Sequence, residues 1–355
     1  MTTDTLTIDI RKTAESRLPQ LDMNNLPFGK VFSDHMFSAD YESGQWKNLQ
    51  IVPYAPLTFS PSNMAIHYGQ SIFEGMKAYK NFKNDILVFR AEQNWERLNK
   101  SAHRMCMPAI PEDIFMEGLR ELLSLDRGWT PAKDGCALYI RPFMFATDEF
   151  IGMRPSETYK FMIFTCPVGK YYSEPVKLKI ETHFSRAAQG GTGSAKCAGN
   201  YAASMYPAKM AQLEGYNQVI WTDGSEHKYV EEAGTMNLMF LINNVLITAA
   251  TSDSILDGVT RKSVLTLAKE WNIKVEERKV TVTEIVEALK KGEVQEAFGV
   301  GTAATVAPVS NIGFEGTDYK LPEIKSDSLT NRILIALDDI KYDRVPDTRN
   351  WITRI

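Results

Sequence analysis

Apolar residues along the first half of the chain switch between two periods, and each switch predicts an element. DILVFR (Asp85–Arg90) is short and rich in β-branched and aromatic residues, which predicts a strand. It runs into AEQNWERLNKSAHRMC, where Trp95, Leu98, Ala102 and Met105 recur at helical spacing. PEDIFMEGLRELLSL predicts a second helix, with Pro111 at N1 and apolar positions at Ile114, Phe115, Leu119, Leu122 and Leu123. CALYIRPFMF (Cys136–Phe145) and YKFMIFTCPV (Tyr159–Val168) then predict two longer strands.

Beyond Val168 the pattern changes. VGKYYSEP ends in a proline that suits neither a helix nor a central strand, so residues 169–175 read as a linker. VKLKIE, QVIWTD, KYVEEA, MNLMFLIN and VLITAA follow as strands separated by turn-prone pairs. Helices are predicted at Asn200–Leu213, Arg261–Trp271 and Thr283–Lys290, the last with a capping box from Thr281 to Glu284 and a stop at Gly292. The expected organisation is a smaller α/β domain over 1–168 and a larger, strand-rich α/β domain over 176–355.

Composition narrows the class. Hydrophobic residues at 44% and charged residues at 24% are globular values. A net charge of −4 without a basic block argues against a nucleic-acid partner. The four cysteines, Cys106, Cys136, Cys166 and Cys197, form no C-x-x-C pair, which argues against a metal knuckle or a disulfide framework. The opening MTTDTLTIDIRK carries acids and no apolar stretch, so neither a signal nor a transit peptide is expected. No apolar run is long enough to span a bilayer, and a soluble cytoplasmic protein is expected.

One stretch asks for chemistry. GGTGSAKCAGNY (Gly190–Tyr201) sets Lys196 among small residues. A phosphate-binding Walker loop needs glycine before the lysine and a hydroxyl after it, but Ala195 and Cys197 stand there. A dinucleotide fingerprint fails because Lys196 takes the place of its last glycine. A surface loop remains open, and so does a Schiff-base lysine, whose flat cofactor needs small neighbours and whose amine must be uncharged part of the time. Further along, VEEAGTMNLMF places Glu231 and Glu232 before a turn, either as a solvated acidic pair or as a carboxylate facing a pyridine nitrogen. LDGVTRKSVL puts Gly258, Val259 and Thr260 at a helix mouth, where free N–H groups suit an anion. FGVGTAATVAP supplies a second small-residue turn.

In their order, AIHYGQSIFEGMKAY, LYIRP, GGTGSAKCAGNY, EEAGTMN, LDGVTRKSV and FGVGTAA closely resemble the branched-chain amino-acid aminotransferases, α/β (α+β) pyridoxal-phosphate enzymes of fold type IV. The resemblance implies that Lys196 binds pyridoxal 5′-phosphate covalently and shuttles a proton between substrate Cα and cofactor C4′. Glu232, rather than Glu231, would pair with the ring nitrogen, and Tyr201 would hydrogen-bond the ring oxygen. Arg90, Val259, Thr260 and Thr302 would hold the phosphate.

On the substrate side the resemblance implies that the Thr302–Ala303 turn binds the α-carboxylate. Phe28, Tyr68, Phe73 and Tyr171 would wall a pocket for leucine, isoleucine or valine. Tyr139 and Arg141, two apart on a strand and so on one face, would take the γ-carboxylate of glutamate or 2-oxoglutarate. Ile151 and Met153 in DEFIGMRPS would enter a partner subunit's pocket, which implies a homodimer. Some members carry a C-x-x-C thiol switch where Ala304 and Ala307 stand here, so that regulation should be absent. Cys197 is unexpected beside the lysine; it either fills a small space, the favoured reading, or is a site of inactivation by thiol reagents. A lyase or D-specific aminotransferase of the same fold, or a nucleotide-binding module, are the competing readings. No metal is implied.

Overall fold

The β-branched and aromatic runs of the first half all become strands. The computed structural model describes residues 6–355, so residues 1–5 of the MTTDTLTIDIRK opening lie outside the described residues. The chain divides into two compact units, one holding the chain up to Tyr171 together with Asp339–Ile355, the other Tyr172–Asp338.

The first unit contains β1 (Asp9–Ile10), β2 (His35–Glu42), β3 (Gln45–Pro53), β4 (Ser71–Phe73), β5 (Met76–Lys80), β6 (Ile86–Phe89), β7 (Ala137–Ala146) and β8 (Tyr159–Val168). They join one nine-stranded sheet in the order β1-β3-β2-β8-β7-β5-β6, ending on the C-terminal strand Ile352–Arg354, with β4 also paired to β7. β7 and β8 pair antiparallel from Ala137↔Val168 to Ala146↔Tyr159, so the two longest predicted strands lie side by side. The helices are α1 (Met64–Tyr68), α2 (Ala91–Arg104) and α3 (Glu112–Leu125). All five apolar positions predicted for α3 are buried, and Phe115 stacks on Phe161 of β8 at 5.9 Å, with Phe37 of β2 against the same ring at 6.1 Å. Each fully buried side chain of this size contributes about 1.5–3 kcal/mol.

Two boundaries shift. Pro111 is the N-cap of α3, with extended backbone (ψ 145°), and Glu112 is the first helical residue. Arg90 leaves the strand: it caps α2 in the left-handed region at φ 54°. The chain's end corrects the expected 176–355 domain. Ile352–Arg354 pairs antiparallel with β6, sending residues 339–355 to the first unit and making that unit the longer one.

The second unit contains β9 (Val176–Ile180), β10 (Gln218–Thr222), β11 (Tyr229–Ala233), β12 (Met236–Ile242), β13 (Val245–Thr248), β14 (Lys274–Glu277), β15 (Val280–Thr281), β16 (Val294–Gly301), β17 (Thr305–Phe314) and β18 (Thr317–Lys320). Six of them close a ring: β12 pairs β16, then β17, β9, β10 and β11 follow, and β11 pairs back to β12. Closure leaves those strands no free edge. Its apolar core includes Leu178, Ile180, Ile220, Leu238, Phe240, Ala297 and Ile312.

The remaining helices are α4 (Ala198–Ala202), α5 (Met205–Leu213), α6 (Val259–Glu270), α7 (Val282–Lys291) and α8 (Leu329–Lys341). The single helix expected over 200–213 is therefore two. Ser204 Oγ donates back to Tyr201 O at 2.7 Å between them, a local bond that competes with the helix ladder. α7 has half of the expected capping box. Thr281 Oγ1 accepts from Glu284 N at 3.0 Å, but the Glu284 carboxylate turns to Arg278 instead of Thr281 N. Gly292 ends α7 in the left-handed region, as expected for a glycine stop.

Candidate active site

Lys196 and Tyr201 are brought together by five residues of chain that first extend and then turn into α4. Lys196 Nζ donates to Tyr201 Oη at 2.8 Å. The glycine-rich stretch before them is tied down rather than loose. Ser194 N donates to Asp253 O at 2.7 Å, and Asn200 Nδ2 donates to Thr192 O and Ala195 O at 2.7 and 2.8 Å. An amine that must attack and release one carbon gains from a fixed origin, since position supplies much of the rate.

Strand register assembles the rest. Glu232 of β11 pairs with Asn237 of β12, and Asn237 pairs with Val300 of β16. That row lies at one end of the strand ring, beside the hairpin turn Thr302–Ala304. Glu231 and Glu232 are both buried, at 8% and 4% exposure, so the solvated acidic pair is ruled out. Asn237 Nδ2 donates to Glu232 Oε1 at 2.9 Å, and Leu256 N donates to the same oxygen at 3.3 Å. Burial pushes the Glu232 carboxyl up from the ordinary range, against Arg186, the Leu256 amide and Lys196, which pull it down. Glu231 is also pushed up by burial, with the Ser254 hydroxyl and Arg186 opposing. The Lys196 charge is one of those that draw the Glu232 carboxyl down.

Arg186 is the residue that sequence reasoning missed. Its Nη2 lies 2.6 Å from Glu232 Oε2 and also donates to Ser254 O and, at 3.4 Å, to Gly193 O. One guanidinium therefore joins the carboxylate, the loop after β13 and the glycine-rich stretch. It stands ten residues before Lys196 in SRAAQGG, with no local pattern to mark it.

An anion seat adjoins this group. α6 begins at Val259, and its N-cap Gly258 makes no side-chain cap, so the first N–H groups of the helix keep the positive end of its dipole for a ligand. A Cβ on Gly258 would lie 2.0 Å from Asn237 Oδ1, which only glycine avoids. Val259 and Thr260 follow at N1 and N2, and Thr302 and Ala303 occupy the β16–β17 turn. The structure therefore brings Lys196, Tyr201, Glu232, Val259, Thr260, Thr302 and Ala303 into the second unit. That unit holds the buried carboxylate and the helix-mouth anion seat that a phosphorylated pyridine needs. Arg90 belongs to the first unit, where its guanidinium lies 4.9 Å from the centre of the Trp351 ring and its N–H donates to Trp351 O at 2.6 Å.

A second group forms within the first unit. Phe28 packs edge-on against Tyr139 at 5.1 Å and Tyr171 at 4.9 Å. Arg141 Nη2 donates to Tyr139 Oη at 3.0 Å, and its guanidinium lies over the Phe73 ring at 4.6 Å. Arg141 Nε is buried and donates to nothing among the described residues, a demand that a carboxylate would meet. Phe28, Phe73, Tyr139, Arg141 and Tyr171 thus come together, while Tyr68, at the end of α1, packs against His67 at 6.2 Å. Ile151 and Met153 stand 69% and 89% exposed. Cys197 is buried at 2% beside the lysine, and Ala304 and Ala307 occupy the turn and the start of β17. Among the described residues no cluster of three or more His, Cys, Asp or Glu could hold a metal ion, and no helix is long and apolar enough to cross a membrane.

The amino-transferase class IV family matches residues 71–312. The chain is 42% identical over 359 residues to "Branched-chain-amino-acid aminotransferase 2" of Bacillus subtilis, covering 100% of this chain and 98% of the relative. It is 43% identical over 339 residues to "Branched-chain-amino-acid transaminase 1" of the same organism, covering 94% and 95%. The crystal structure of a branched-chain amino acid aminotransferase from Escherichia coli superposes with a TM-score of 0.75 at 27% identity, over 90% of this chain and 98% of that one.

Proposed function

The chain belongs to the class IV aminotransferases, which work with pyridoxal phosphate, and from that premise we propose that it moves the amino group of L-leucine, L-isoleucine or L-valine reversibly onto 2-oxoglutarate, giving a branched 2-oxo acid and L-glutamate. The Lys196–Tyr201 contact beside the buried Glu232 is the observation that carries the reaction type. Full-length likeness to the two Bacillus relatives supports the substrate class.

When bound, the cofactor supplies the electron sink that makes a substrate Cα–H acidic. Every other task falls to side chains. Lys196 Nζ would hold the cofactor and, when free, would be the base that takes the substrate Cα proton. Tyr201 Oη, already within hydrogen-bond reach of that amine, orients it and meets the ring oxygen. Glu232 would pair with the ring nitrogen, where a cation would offset the desolvation of the buried carboxylate. The Val259–Thr260 amides and Thr302 would take the phosphate, and the Thr302–Ala303 amides would take the substrate α-carboxylate.

One pocket must serve both an apolar side chain and a γ-carboxylate. Phe28, Phe73 and Tyr171 suit the first, and Tyr139 with the unfilled Arg141 Nε suits the second. Arg141→Ala is expected to raise the KM for 2-oxoglutarate and glutamate by roughly tenfold to a hundredfold, the worth of hydrogen bonds to a charged group. Leucine should change much less in the same steady-state assay. Equal losses for both substrates would make Arg141 structural.

The exposed Ile151 and Met153 support a homodimer in which each copy offers them to its partner's pocket. A cytoplasmic location fits an enzyme of free amino acids with unpaired cysteines. The direct test of the reading is a visible spectrum of the purified enzyme before and after adding L-leucine without an oxo acid. Loss of the lysine-bound cofactor's yellow band, with the amine form appearing, is the expected result. A band that persists with leucine but yields to D-alanine would replace the substrate assignment.

A further inference from the structure

We propose that the buried Glu74–Arg97 ion pair is a positioning device for substrate discrimination, holding the Phe73–Gly75 segment against Tyr139 and Arg141; this rests on the γ-carboxylate role given to that pair above. Neither residue touches the substrate group directly. Their effect passes through the two neighbours of Glu74.

The pair is tight and sealed. Arg97 Nε donates to Glu74 Oε1 at 2.7 Å and Nη2 to Oε2 at 2.8 Å, a two-pronged contact. Glu74 is 0% exposed and Arg97 6%. Arg97 sits mid-way along α2, a rigid origin, and Glu74 lies between β4 and β5. Glu74 Oε2 also accepts from Gly75 N at 3.2 Å, and Glu74 N donates to Pro142 O at 2.7 Å. The carboxylate thereby ties the Glu74–Gly75 backbone to Arg97, and the Glu74 N–H ties it to β7 at the residue after Arg141.

Side chains alternate along an extended segment, so Glu74 points away from the face that carries Phe73 and Gly75. Those two neighbours make the contacts that matter. The Phe73 ring lies 4.6 Å under the Arg141 guanidinium. A Cβ on Gly75 would lie 2.2 Å from Tyr139 Oη, so the Gly75 backbone is pressed close against the hydroxyl that accepts from Arg141. Arg97 thus pulls from one face, and Phe73 and Gly75 set Arg141 and Tyr139 on the other.

Stability alone does not account for such a pair. Apolar residues of similar volume in place of a buried ion pair are often neutral or stabilising. What an apolar pair cannot supply is a fixed angle and register for the segment between two strands.

The test compares Glu74→Gln, Arg97→Lys and the apolar double variant Glu74→Met/Arg97→Leu in the holoenzyme. Each is assayed for KM and kcat with leucine and with 2-oxoglutarate, alongside thermal unfolding. The expected result is a KM for 2-oxoglutarate raised by roughly tenfold in all three, since small misplacements of binding groups cost that much or more, with leucine KM changed by less than about threefold. Arg97→Lys keeps the charge but loses the fork, and should still show the split. The double variant should regain thermal stability without regaining 2-oxoglutarate affinity. Recovery of both together, or equal changes for the two substrates, would overturn the proposal and leave the pair structural. Should Glu74→Gln fail to fold, the double variant carries the same readout. A wild-type enzyme that does not transaminate leucine would instead sink the functional reading, independently of any variant.

Discussion

Lys196→Ala will abolish transamination, with turnover of L-leucine and 2-oxoglutarate falling by at least about 10⁴-fold, the upper range for loss of a positioned acid–base group. The loss should exceed that of any other single change, because the proposed mechanism gives the same amine two tasks: holding the cofactor and moving the Cα proton. Alanine leaves no group at either task. Global folding should survive, since Lys196 is only half-buried and its partner Tyr201 keeps the bulk of its ring in place. Borohydride reduction followed by peptide mass mapping supplies a readout independent of rate. The wild-type peptide spanning Gly190–Tyr201 should carry a reduced phosphopyridoxyl group, and the variant peptide none. Near-normal turnover in the variant would remove Lys196 from the mechanism, and a reduced adduct on another lysine would name its replacement.

How far the molecule was legible in its sequence depended on how local each cause was. The sequence predicts β8 at Tyr159–Val168 and the strand occupies those residues, because apolar and β-branched residues dominate that one segment. α7 was predicted within one residue at each end, for Thr281 and Gly292 are local signals. α8 had no such signal. Its first turn is capped from afar, Leu329 N and Thr330 N each donating to the Glu296 carboxylate at 2.8 Å. The return of residues 339–355 to the first unit has the same origin, since the pairing of Ile352–Arg354 with β6 spans most of the chain. So has Arg186, whose role exists only because the glycine-rich stretch, β11 and the loop after β13 converge. Lys196, the Glu231–Glu232 pair and the Val259–Thr260 helix mouth stand out in the sequence because each lies in a short, distinctive run. The buried face of α2 was only partly so: Arg97 stands on it among Leu98 and Ala102, and a helical period built on apolar residues does not anticipate a buried arginine.

Glu232→Gln should lower kcat by roughly 10²–10³-fold, the usual cost of removing one preorganised charge from an active site. The amide has the size of the carboxylate but one acceptor oxygen in place of two. Three donors converge on that group: Asn237 Nδ2 and Leu256 N on one oxygen, Arg186 Nη2 on the other. Whichever way the amide turns, its NH2 meets a donor, and the buried guanidinium loses its anionic partner. The ring nitrogen of the cofactor then loses the anion that keeps it protonated, and the electron sink weakens. Cofactor affinity should fall too, measured by equilibrium titration, so that kcat at saturating cofactor separates the two effects. Glu231→Gln is the control for register. Glu231 Oε1 accepts from Ser254 Oγ, while its Oε2 is buried with no hydrogen-bond donor among the described residues. The neutral amide therefore fits there at little cost, and kcat should stay within about threefold of wild type, the scale of an ordinary substitution away from the reacting atoms. If Glu231→Gln were the crippling change and Glu232→Gln the mild one, the carboxylate facing the ring would be the neighbour, and the row Glu232–Asn237–Val300 would lose its place in the mechanism.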